Sequence, residues 1–212
     1  SNRLETQVHF YQNILGFTVL HRALDRVSLA IGTSVLHIIQ REGATPYHFA
    51  MNIPANKVSE ARDWLKHRTD ILCDDTIEIH DFDFWNAEAV YCYDADHNII
   101  EFIARKNLKN ERSEAFSVQQ VLSICEIGVP TDNIQSLYKT LHEHTGIEVY
   151  DGTFERFCAI GNEYGLFIVI NRQLKKWFPI HDPAYISDFK LQCAIQNIGY
   201  NIAYTDGIFK VL

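Results

Sequence analysis

F-Y-Q-N-I-L-G-F, residues 10–17, closes a helical pattern in which Leu4, Val8, Tyr11 and Leu15 share one face. Gly16 then stops the helix as a left-handed cap, a conformation that costs glycine little. Downstream, A-I-G at 30–32 leads into the apolar run V-L-H-I-I. Both landmarks recur: L-Y-K-T-L-H-E-H-T-G-I at 137–147 echoes the helix end, and A-I-G at 159–161 precedes L-F-I-V-I. Gly16 and Gly32 are 16 residues apart, Gly146 and Gly161 are 15 apart. Three landmarks at matched spacing point to a duplicated helix-and-strand unit.

Outward from the first helix, strands are predicted at 17–21, 26–31 and 34–40. Y-H-F-A-M-N-I-P at 47–54 reads as a strand closed by Pro54, followed by an amphipathic helix at 56–68 and strands at 76–82, 88–94 and 98–104. Residues 106–116 carry five charges and little apolar content and read as a linker between domains at 1–106 and 117–212. The pattern then restarts: a strand at 121–129, a helix at 132–144, and strands near 147–151, 155–160 and 165–170. Strands at 189–196, 199–204 and 207–212 follow, with no helix among them. Met51 is the only methionine and the pattern opens on a helix with no strand before it, so a leading segment is expected to precede Ser1.

The chain has 212 residues, 47% of them hydrophobic, enough for a sizeable core. A net charge of −8 argues against binding a phosphate backbone, and no apolar run approaches the ~18 residues of a membrane span. The five cysteines, Cys73, Cys92, Cys125, Cys158 and Cys193, are widely spaced and read as reduced thiols of a cytoplasmic protein.

Three motifs in order, F-Y-x-x-x-L-G-F at 10–17, Y-H-F-A-M-N-I-P at 47–54 and Y-D-A-D-H-N-I-I-E-F at 93–102, resemble the vicinal oxygen chelate superfamily. That group holds glyoxalase I, bleomycin-resistance proteins and extradiol dioxygenases. The resemblance implies an α+β fold of tandem βαβββ modules forming cupped mixed sheets, in two domains of which the C-terminal one is degenerate. It also implies a divalent metal (Fe, Zn, Mn or Ni) held by residues on the first and last strands of modules. Carried over position by position, these are His37, His48 and Glu101. A small-molecule substrate with two adjacent oxygens is implied, with lyase or ring-cleaving dioxygenase chemistry. The alternative is a metal-free binding protein of the bleomycin-resistance type.

The residues themselves are consistent with the metal reading. Alternation puts His48, Ala50 and Asn52 on one strand face and Val35, His37 and Ile39 on another. Glu101 lies among Ile99, Ile100, Phe102 and Ile103, where a carboxylate needs a partner to offset burial. Two histidines and a glutamate are also donors from which iron(II) keeps open positions. His142 and His144, two apart on a helix, cannot face one site. His80, Asp81 and Asp83 read as surface residues. In the C-terminal half the positions aligned with ligands are Ile124, Ile168, Lys190 and Lys210, so that half is expected to be metal-free, supporting the cup or an oligomer interface such as a homodimer's.

Overall fold

The computed structural model describes residues 1–212, which divide into two compact units, Ser1–Cys125 and Glu126–Leu212. The N-terminal unit opens with α1 (Leu4–Val8), which continues as a π-helical turn over His9–Ile14. Gly16 ends this helix at φ +86°. Strands β1 (Thr18–Arg22), β2 (Arg26–Ile31) and β3 (Ser34–Ile39) form an antiparallel sheet. Val27, Leu29 and Ile31 alternate onto its fully buried face.

A second sheet follows from β4 (His48–Ile53), α2 (Val58–Lys66), β5 (Ile71–Leu72), β6 (His80–Phe82), β7 (Ala87–Tyr93) and β8 (Ile99–Arg105). Within it β8 lies parallel to β4 and antiparallel to β7, and β5 and β6 both pair with β7. The strand predicted at 76–82 therefore shrinks to three residues, and β5 is an addition. Helix α2 buries Val58, Ala61 and Leu65, while its Trp64 ring lies 6.2 Å from Phe102 on β8. Phe102 shares a face with Ile100 and Ala104, so that side of β8 faces the helix.

Residues 106–116, expected to be a linker, are tied to this unit. Asn110 accepts a hydrogen bond from Ala55 N at 2.8 Å, Arg112 N donates to Asn56 at 3.0 Å, and Phe116 N donates to Glu60 at 2.8 Å. The segment is polar because it exchanges hydrogen bonds with the start of α2.

The second unit repeats the module. β9 (Ser123–Thr131), which begins in the first unit, leads to α3 (Ile134–Thr145), β10 (Val149–Gly152), β11 (Phe157–Asn162) and β12 (Gly165–Asn171). β12 is parallel to β9, as β8 is to β4. Asn133 caps α3 by accepting from Ser136 N at 2.9 Å, and Gly146 ends it at φ +67°. The meander β13 (Phe189–Ile195), β14 (Ile198–Thr205) and β15 (Ile208–Val211) has no helix of its own, as expected. Its Ile202, Tyr204 and Phe209 share one core with Leu137 and Leu141 of α3 and with Phe167 and Val169 of β12. One helix thus covers both sheets of this unit.

The repeated A-I-G has a steric cause. Gly32 (φ +57°) and Gly161 (φ +127°) adopt backbone that L-residues avoid, and a Cβ would lie 2.1 Å from Leu122 O and 2.2 Å from Gly165 O respectively. All five cysteines are free, as read from the sequence. Burial pushes the thiol of Cys158 up to about 11 and that of Cys92 higher still, so neither is a ready thiolate.

Candidate metal centre

Parallel pairing of β4 with β8 sets His48 opposite Ile99 and Ala50 opposite Glu101. Because opposed residues project to one side, His48 and Glu101 both point away from α2. Their side chains meet: His48 Nε2 lies 3.2 Å from Glu101 Oε2, with only 7% and 5% of the two side chains exposed. Ala50, opposite Glu101, is too small to fill the space above the strand. The two side chains thus converge at one point on this face of the sheet.

The same face carries further polar side chains among Ala50, Ala89, Ile99 and Ile103. Tyr91 of β7 pairs with Glu101, and its ring lies 6.3 Å from that of His48. His80 of β6 sits opposite Ala89, and its ring makes an edge contact with Tyr91 at 5.5 Å. Further along, the guanidinium of the fully buried Arg105 lies 5.5 Å from the ring centroid of Trp85. The sequence placed His80 at the surface, but it is 6% exposed. Opposition to the small Ala89 leaves room for its ring to fold in. Burial pulls the imidazole below its ordinary value, against the opposing pull of Asp74 and Glu101, and so favours the neutral form.

The other two motifs meet at Asp94. Its buried carboxylate accepts from Gln7 Nε2 at 2.8 Å, Tyr11 OH at 2.9 Å and Asn98 Nδ2 at 2.7 Å, and from the backbone N–H groups of Asp96 and Asn98, each at 2.9 Å. Tyr11 of F-Y-x-x-x-L-G-F and Asp94 of Y-D-A-D-H-N are thereby one structural network that fixes the β7–β8 turn against the first helix. Burial outweighs the five donors and raises the carboxyl above its ordinary value.

Neither a protein-family model nor a curated protein matches the chain in sequence. Solved structures do match. A glyoxalase I mutant from Zea mays superposes with a TM-score of 0.53 at 12% identity, over 95% of this chain and 84% of that one. A proposed dioxygenase from Bacillus subtilis gives 0.56 at 12% identity, over 78% of this chain and 59% of that one. The chain thus shares the fold of these glyoxalase and dioxygenase structures. Each of the two modules pairs its first and last strands in parallel, β4 with β8 and β9 with β12. No helix is long and apolar enough to cross a membrane.

Of the expected ligands, this fold brings His48 and Glu101 together. His37 stands on the three-stranded sheet, its Nδ1 2.8 Å from Ser28 Oγ. His142 bonds Ile147 O at 3.0 Å and His144 bonds Thr140 O at 2.8 Å, both on α3. In the second unit, Ile168 is buried while Lys190 and Lys210 are exposed. Ile124, the remaining position aligned with a ligand, lies on β9 two residues before Glu126. Glu126 is 4% exposed and sits opposite Leu166, on the face of β9 turned away from the α3 core that takes Val129.

Proposed function

We propose that this chain is a metal-dependent enzyme of the glyoxalase or extradiol dioxygenase type, acting on a small molecule with two adjacent oxygens. The observation that carries this reading is the buried contact between His48 and Glu101 on the polar face of the β4–β8 sheet. A buried imidazole and carboxylate cost more in desolvation than their mutual attraction returns, unless a further group completes the arrangement. One nitrogen and one carboxylate donor suit a divalent transition metal.

When bound, the ion supplies Lewis-acid polarisation and a place for two substrate oxygens to chelate. The surrounding side chains have their own roles in this reading. Tyr91 lies beside the imidazole of His48. His80, whose neutral form burial favours, lies edge-on to Tyr91 as a candidate proton acceptor on this face. A metal-free sequestering role gives the buried Glu101 nothing to do.

Equilibrium dialysis against zinc, followed by metal analysis, tests the proposal. Wild-type protein should retain a tight equivalent, and Glu101→Gln, which keeps the volume and removes the charge, should weaken it at least a hundredfold with the fold intact by circular dichroism. Equal retention by wild type and Glu101→Gln overturns the proposal.

A further inference from the structure

On the three-stranded sheet, Ser28 of β2 is opposed on one side by His21 of β1 and on the other by His37 of β3. Directly opposed residues project to the same face, so the three form one cross-strand row. The opposite face carries the fully buried Val27, Leu29 and Ile31. The row therefore faces outward, where both histidines are exposed and flanked by the exposed Leu20, Val35 and Ile39.

His21 reaches this row only through an irregularity in β1. The pairing runs Thr18 with Ala30 and Val19 with Leu29, then shifts so that His21, not Leu20, opposes Ser28. Without the shift, alternation would send His21 to the apolar side with Val27. Bulges commonly re-aim a side chain in this way.

The row is also spaced for chelation. Two strand separations put the Cα atoms of His21 and His37 about 10 Å apart, so one ion between them needs each ring to span about half that distance over the small Ser28. Ser28 Oγ lies 2.8 Å from His37 Nδ1. A metal on Nε2 of His37 would select the tautomer whose Nδ1–H donates to that oxygen, the outer-shell arrangement usual for histidine ligands.

We propose that His21 and His37, oriented over Ser28, form a second, surface metal site that takes an imidazole-preferring divalent ion of the zinc, nickel or copper class, the remaining positions being filled by water. It is independent of the His48–Glu101 reading.

The test uses full-length protein carrying Glu101→Gln, so that the buried pair does not contribute. Nickel is titrated by calorimetry, and the histidine ring nitrogens are followed by NMR. One equivalent should bind, shifting the His21 and His37 signals. His21→Ala and His37→Ala should each weaken it more than tenfold. Ser28→Ala should keep the stoichiometry and lose about tenfold in affinity, because the tautomer is no longer held. His142→Ala should change nothing. Unaltered nickel binding in the His21→Ala/His37→Ala protein, with NMR dispersion showing it folded, overturns the proposal, as does equal loss in His142→Ala.

Discussion

His80 shows what a single position on the polar face contributes. In the unfolded chain its imidazole titrates near 6.5, and burial lowers that value in the fold. Below pH 6.5 the unfolded chain takes up the proton first, so the unfolded state binds more protons and stability falls with acidification. The contribution of His80 is fully present above pH 6.5 and is lost as pH falls through the folded value. Urea unfolding of metal-free protein between pH 8 and pH 5 should show this decline, and His80→Leu should flatten it. A decline of the same size in His80→Leu would show that other groups cause it. The sequence could not reveal this residue, because H-D-F-D-F alternates acidic and aromatic side chains and nothing in it says which face is covered. Glu101 was legible, because a lone carboxylate inside an apolar strand has few structural explanations.

At the level of elements, the glycines that revealed the duplication differ in what they tolerate. A Cβ at Gly16 would meet only Val118 Cγ1 at 3.5 Å, whereas at Gly32 it would meet the Leu122 carbonyl at 2.1 Å. Gly16→Ala should therefore cost about 1–2 kcal/mol, from backbone strain alone. Gly32→Ala adds a backbone clash and should cost roughly 3 kcal/mol or more. Denaturant midpoints of the two variants check the order, and equal losses would refute the steric account. These glycines, with the apolar periodicities, are why most strands and both longer helices were readable within a residue or two. The π-helical turn at His9–Ile14 was not, since it keeps the same buried face as an α-helix.

At the scale of the whole chain, the same topology appears in β4–β8 and in β9–β12, each with its last strand parallel to its first. The two copies differ in chemistry. The first carries His48 and Glu101 on adjacent strands, while β12 carries Ile168 and Ile170. Sequence motifs fixed on glycines and on the Tyr11–Asp94 network report the scaffold, and only the residues between them report the site. The central claim is that the buried imidazole and carboxylate of the first copy hold a divalent ion. The most direct measurement is anomalous scattering from a crystal of the zinc-loaded protein. The account predicts a peak about 2.0–2.2 Å from His48 Nε2 and from a carboxylate oxygen of Glu101. Zinc bound only elsewhere, with His48 Nε2 and Glu101 Oε2 still in direct contact, would contradict it.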